Sequence, residues 1–95
     1  MKRPFRPEIP PHVAEVIRRL APDLKRSVKQ ALRALCADPR AGDPLRRELE
    51  GLWTYRVRRF RIVYAFDARR RSIRIYAVGH RRSVYEELAE RRRRG

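Results

Sequence analysis

The sequence predicts a single α+β domain: a small, mainly antiparallel sheet with an N-terminal helical hairpin packed on one face and a C-terminal helix, in the order β-α-α-β-β-β-α. Three observations predict it. Apolar residues recur at helical spacing through the first half of the chain. Through most of the second half they alternate with arginine, as half-buried strands do. Prolines or short polar stretches stand where one pattern gives way to the next.

Residues 3–10 carry Pro4, Pro7 and Pro10, which forbid a helix and suit an extended strand at a sheet edge. Val13, Val16, Ile17 and Leu20 then recur at i, i+3, i+4 and i+7, a short amphipathic helix. Ala21-Pro22-Asp23 interrupts it, with the proline placed for the first turn of a new helix. That second helix carries Leu24, Val28, Ala31, Leu32 and Leu35 on one stripe, with Lys25, Arg26, Lys29 and Arg33 outside it, and Asp38-Pro39 stops it. Residues 38–50 read as a polar connection with a short helical turn at 45–49. Residues 53–67 and 72–80 are rich in Tyr, Val, Ile and Phe. Phe60, Ile62, Tyr64 and Phe66 share one face with Arg61 and Val63 opposite; Ile73, Ile75 and Ala77 alternate with Arg74 and Tyr76; residues 67–71 form the loop between. Val84, Tyr85, Leu88 and Ala89 return to helical spacing before four arginines. Two helices on one face leave the other face of the sheet open. Residues 1–4 and 91–95 are expected to be flexible ends, the arginine run a solvated, frayed tail.

Ninety-five residues make one domain with a modest core. Twenty-six Lys and Arg against eleven Asp and Glu give +15, and all but Lys2, Lys25 and Lys29 are arginine. Guanidinium forks onto phosphate oxygens and does not titrate away. So large a charge strains the compact state by self-repulsion, and the plainest reason to carry it is a polyanionic partner. No stretch approaches the roughly 20 apolar residues that span a bilayer, and none resembles a signal peptide. One cysteine, Cys36, excludes an internal disulfide or a cysteine metal cluster, and its helical setting makes it buried filler. A cytoplasmic protein without metal or cofactor is expected.

Arg56, Arg58, Arg59 and Arg61 lie in or beside the central strands, Arg74 interrupts the next, and Arg81 and Arg82 follow the last. With Tyr55, Tyr76 and Tyr85 interleaved, they predict a cationic surface that grips unpaired bases beside their phosphates. Trp53, Tyr64 and Phe66 read as core; His12 has no partner pattern, and Glu86 and Glu87 rank as helix-surface residues.

Two segments carry a family resemblance: Leu49-Glu-Gly-Leu-Trp-Thr-Tyr-Arg-Val-Arg-Arg-Phe-Arg-Ile-Val-Tyr64, and Ile75-Tyr-Ala-Val-Gly-His-Arg-Arg-Ser-Val-Tyr85, the more specific of the two. With the helical hairpin and Asp38-Pro39-Arg40, they resemble the RelE/ParE toxin superfamily from about Phe5 to Leu88. The resemblance implies a toxin of a type II toxin–antitoxin system, partnered by an acidic antitoxin segment that folds on binding. Such a segment would cover the cationic face or displace the helix at 84–89. RelE-like members cut messenger RNA in the ribosomal A site; ParE-like members poison DNA gyrase and lack the nuclease residues. Carried over by position, the basic pair falls on Arg56 and Arg58, the strand arginine on Arg61, the closing arginine on Arg81 and the terminal-helix tyrosine on Tyr85. All five are groups an RNase can use, which favours the RelE branch.

The expected activity is therefore a metal-independent endoribonuclease acting on mRNA at the ribosome. Arg61 would clamp the scissile phosphate, Arg81 stabilise the leaving oxygen, and Tyr85 stack on a base, with Arg59, Arg74, Tyr55 and Arg82 binding RNA. Some relatives have lysine at the positions of Arg56 and Arg58, and arginine is nearly useless as a proton acceptor. His80 is the alternative base, since its unperturbed pKa lies near neutrality. Many relatives also have glycine near the first hairpin bend, whereas this chain has Arg58-Arg59, so Arg58 is expected to sit in the turn and point away from the phosphate. Two other readings stand beside the nuclease: a ParE-like gyrase inhibitor without chemistry of its own, and a non-catalytic RNA- or ribosome-binding module.

Overall fold

The computed structural model describes residues 3–94. Met1, Lys2 and Gly95, parts of the expected flexible ends, lie outside them. Strand β1 (Arg6–Glu8) opens the chain, followed by helices α1 (Pro11–Arg18) and α2 (Pro22–Ala37). Strands β2 (Asp43–Pro44), β3 (Trp53–Val57), β4 (Phe60–Asp67) and β5 (Ser72–His80) come next, and helix α3 (Arg81–Arg94) closes it. The sheet order is β1-β5-β4-β3-β2, with β1 parallel to β5 and every other pairing antiparallel. The α+β class and element order follow the expectation, with the two-residue edge strand β2 added.

Local chemistry explains the boundaries. Pro7 has no N–H, so β1 sits at the edge, and the Phe5 N–H donates to the Cys36 carbonyl at 2.7 Å, tying the start of the chain to the end of α2. Pro11 and Pro22 occupy the first positions of their helices, where a missing N–H costs nothing. Helix α1 buries Val13 and Ile17, while Val16, expected on the same stripe, is 40% exposed. After α2, the Asp38 carboxylate accepts from the Arg40 N–H at 3.2 Å and starts a 3-10 turn at Pro39–Ala41.

The buried Tyr64 fastens this connection to the sheet. Its hydroxyl donates to the Pro39 carbonyl at 2.6 Å and accepts from the Gly42 N–H at 3.2 Å. A Cβ on Gly42 would collide with that hydroxyl and with the Thr54 carbonyl, so only glycine fits. Burial pushes the Tyr64 phenol up to about 12.

The two faces of the sheet carry separate cores. Helices α1 and α2 cover one, burying Val28 and Leu35 against Ile62, Tyr64, Ile73 and Ile75. The opposite face, expected to be open, is covered by α3: Val84 and Leu88 pack on Val63, Leu49 and Leu52. The helix can fold back at once because Gly79 has no side chain; a Cβ there would lie 2.7 Å from a Val84 methyl. Residues 91–94, expected to fray, are the last turn of α3. Arg92 donates to the Glu48 and Glu50 carbonyls at 3.0 and 2.8 Å, and Arg93 pairs with Glu48 at 3.0 Å.

One irregularity redirects the end of β5. Val63 pairs with Ala77 but Tyr64 with Ile75, leaving Tyr76 as the extra residue of a β-bulge. The bulge reverses the alternation. Ala77, expected on the Ile73–Ile75 face, lies with Tyr76 on the α3 side, and Val78 takes the place on the α1–α2 side.

Candidate nucleic-acid interface

Arg56 of β3 and Arg61 of β4 are directly opposite in the register, both on the α3 face. Gly79 of β5 flanks Arg61 on its other side. Two residues on, Arg81 begins α3 and places its guanidinium 5.9 Å from the centre of the Tyr85 ring. The half-buried Tyr85 donates its hydroxyl hydrogen to Thr54 Oγ1 at 2.9 Å, and Thr54 is itself buried. This fixes the ring between sheet and helix and commits its hydroxyl inward.

Like charges directly opposite on a sheet are destabilising. Some arginines elsewhere are neutralised: Arg18 and Arg19 pair with Glu15, Arg26 with Asp23, Arg91 with Glu87 and Arg94 with Glu90. Among the described residues, Arg56, Arg58, Arg59, Arg61, Arg81 and Arg82 have no carboxylate within 4.0 Å. The Arg56–Arg61 pair, with Arg81 and the half-buried Tyr85 at the same end of the sheet, suits an anion brought from outside.

Not all the residues singled out in the sequence gather there. Arg58 and Arg59 form the two-residue loop between β3 and β4, and Arg58 has φ +57°. Its backbone carbonyl accepts from Arg56 Nε at 3.3 Å, and its side chain belongs to the turn rather than to the strand face. Arg74 stands near the other end of β5 and pairs with Glu8 at 3.8 Å. Tyr55 packs on the α1–α2 side, and Tyr76 lies by Leu52, Leu88 and the last turn of α3. His80 follows the bulge to the side of Phe60, ring centres 4.6 Å apart, so the sheet separates it from Arg61. Arg82 is exposed in the first turn of α3. Burial raises the Cys36 thiol above its ordinary range, in keeping with filler rather than a nucleophile.

Sequence reasoning missed three participants. Thr54 shares the α3 face with Arg56 and looks like an ordinary strand residue until Tyr85 is seen to reach it. Arg46 and Arg47 lie with Tyr85, Glu48 and Glu86 around an open cavity of about 360 Å³. Nothing in their local pattern connects them to residues almost forty positions away. Among the described residues no three His, Cys, Asp or Glu side chains are grouped to hold a metal ion, and no helix is long and apolar enough to cross a membrane.

Comparison with known proteins follows the same lines. A toxin–antitoxin complex, RelBE2 of Mycobacterium tuberculosis, contains a chain 28% identical to this one, with TM-score 0.75 over 85% of this chain and 95% of that one. An arginine-substituted form of the toxin RelE from E. coli in the free state gives TM-score 0.75 at 19% identity, over 93% and 97% of the two chains. The YoeB–YefM complex from Staphylococcus aureus gives 0.66 at 15%, over 80% and 95%. These last two likenesses are of fold alone. No curated protein sequence matches significantly. The sequence model for the ParE toxin of type II toxin–antitoxin systems matches residues 8–85, most of the chain. The chain thus belongs to the ParE toxin family of type II toxin–antitoxin systems, within the RelE/ParE superfamily.

Proposed function

We propose that this toxin is a metal-independent endoribonuclease acting on messenger RNA at the ribosome, with an acidic antitoxin as its natural partner. The observation that carries the reading is the set Arg56, Arg61, Arg81 and Tyr85 at one end of the α3 face, whose guanidiniums have no ion pair among the described residues. Solved relatives bound to antitoxins support the partner, and the net charge of +15 supports its acidity.

In such a cleavage the ribose 2′-oxygen forms a bond to the adjacent phosphorus while the bond to the 5′-oxygen breaks. The products are a 2′,3′-cyclic phosphate and a 5′-hydroxyl. The 2′-hydroxyl proton leaves to an acceptor, and the 5′-oxygen gains one. Charge accumulates on the phosphoryl oxygens, and a well-placed donor there contributes about 10²–10³ in rate. Arg61, half-buried and opposite Arg56, holds the phosphate; Arg81 faces the leaving oxygen. Tyr85 offers a ring face for a base, since its hydroxyl is engaged by Thr54. Arginine does not accept protons at neutral pH, and His80 lies across the sheet. The chain's contribution is orientation and charge, with solvent or the ribosome taking the proton.

The test is 5′-end mapping of a defined message on programmed ribosomes, wild type against Arg81→Ala. Cuts within A-site codons that vanish in the variant are expected. An uncut message sinks the reading; cuts that persist in the variant keep the enzyme and remove Arg81 from the site. The second reading, gyrase inhibition without chemistry, is favoured by the family match itself, which names ParE. It predicts inhibited supercoiling in vitro that Arg81→Ala leaves unchanged.

A further inference from the structure

The sheet carries a second cationic cluster at its other end. The loop between β4 and β5 holds Arg69, Arg70 and Arg71, and Arg40 reaches the same end from the α2–β2 connection. Along β5 this lies eight residues from His80, about 26 Å from the Arg56–Arg61–Arg81 cluster at strand rise. A single phosphate cannot engage both.

The far cluster is built differently. The carboxylate nearest in sequence, Asp67, accepts from the backbone N–H groups of Arg69 and Arg70 at 3.0 and 3.1 Å, so it shapes the loop rather than pairing with a guanidinium. The Arg40 guanidinium lies 5.1 Å from the Phe66 ring centre and that of Arg71 4.6 Å from Phe5, whose rings meet edge to face at 6.0 Å. Stacking fixes these two cations without neutralising them. Arg71 also donates to the Arg3 carbonyl, while Arg69 and Arg70 are exposed. Among the described residues, neither ring stands free for an unpaired base, since each is engaged by a guanidinium and by the other ring. Nor is there an apolar anchor for a peptide helix: the exposed large hydrophobics among the described residues, Ile9 and Val16, lie at the α1 side.

We infer that the β4–β5 loop is a docking site for the phosphate backbone of base-paired RNA. Its groups read charge and spacing but no base, as a duplex demands. The inference needs an RNA partner but not the cleavage chemistry, so it is tested by binding alone.

The experiment measures the affinity of the intact protein for an RNA duplex of about 16 base pairs, for the DNA duplex of the same sequence, and for polyglutamate. Salt is varied from about 50 to 200 mM. Wild type is compared with Arg69→Gln/Arg70→Gln and with Lys25→Gln/Lys29→Gln, which removes the same charge from α2. The loop variant is expected to bind duplex RNA about tenfold more weakly and to lower the salt slope by about 2, one per lost phosphate contact. The α2 variant should change affinity less than about threefold. Equal effects of the two variants would reduce the result to net charge and overturn the site. A loss as large on the DNA duplex would overturn the assignment to RNA. A loss confined to polyglutamate would assign the loop to an acidic protein instead. Because no arm reads cleavage, a failed nuclease assay leaves each outcome standing.

Discussion

The two faces of the sheet are built to different standards. Twelve buried residues form the core under α1 and α2; five form the one under α3. Burial supplies most of the stability of a small domain, so the α1–α2 side holds the fold together. The thin side holds Arg56, Arg61, Arg81 and Tyr85, and its covering helix is fastened as much by polar ties as by packing. Tyr85 reaches Thr54, and Arg92 reaches two backbone carbonyls near Glu48. A face that must offer unneutralised guanidiniums gives up area that would otherwise be apolar, and the thick side compensates.

Truncating one core residue on each side is the strongest way to break this comparison. Ile62 is completely buried under α2, and Ile62→Ala should cost about 3–4 kcal/mol in a single cooperative urea transition. Leu88→Ala should cost about 2–3 kcal/mol and act locally first. In hydrogen exchange, α3 amides should lose protection while those of β4 and β5 keep theirs. If both substitutions loosen every element equally, the two cores are one unit and the comparison is wrong.

Tyr64 ranks next, because it ties the thick side to the connection that leads to the thin one. Tyr64→Phe removes the donor to Pro39 and the acceptor for Gly42, at about 1–3 kcal/mol for buried groups left unpaired. The residue also makes stability pH-dependent. Its phenol is raised to about 12 in the folded chain, against about 10 when unfolded. The unfolded state therefore ionises first. The stabilisation is complete below pH 10 and is lost as pH rises toward 12. Denaturation between pH 8 and 11 should show a steeper decline for wild type than for Tyr64→Phe; parallel curves would show that Tyr64 does not titrate on unfolding.

A smaller effect tests the polar tie. Thr54→Val keeps the shape but removes the acceptor for Tyr85, at about 1 kcal/mol, or about 4–8 °C in Tm for a chain of this size. Thr54→Ser should restore most of it. Equal melting of all three proteins would mean that the bond contributes nothing and that packing alone holds the Tyr85 ring.

The thick side was legible in the sequence because burial leaves a periodic trace. Val28, Ala31 and Leu35 in α2, and Ile62 and Tyr64 in β4, stand where their spacing puts them. The thin side was less so. Val84 and Leu88 are too few to show that α3 folds back over the sheet. The bulge at Tyr76 is a fact of register between strands, and no local pattern announces it, yet it decides that His80 and Arg61 lie on opposite faces. Of the candidate site, Arg56, Arg61, Arg81 and Tyr85 came together as their positions implied. Thr54, Arg46 and Arg47 were invisible because their part depends on Tyr85 arriving from a distant helix.

Arg58 offers the finest test. The turn between β3 and β4 was expected to accommodate an arginine badly, and it does hold Arg58 at φ +57°, a left-handed conformation that costs an L-residue about 1–2 kcal/mol. Glycine adopts it freely but loses about 0.5–1 kcal/mol more in backbone entropy on folding. Arg58→Gly should therefore stabilise the protein by somewhat less than about 1 kcal/mol, read as a higher urea midpoint with unchanged slope. The same variant separates conformation from charge. If Arg58 serves only the turn, the more stable variant should keep full activity in the ribosome assay. A stabilised variant with lost activity would return Arg58 to the site, and show that a strained turn is retained on the thin side for the sake of its charge.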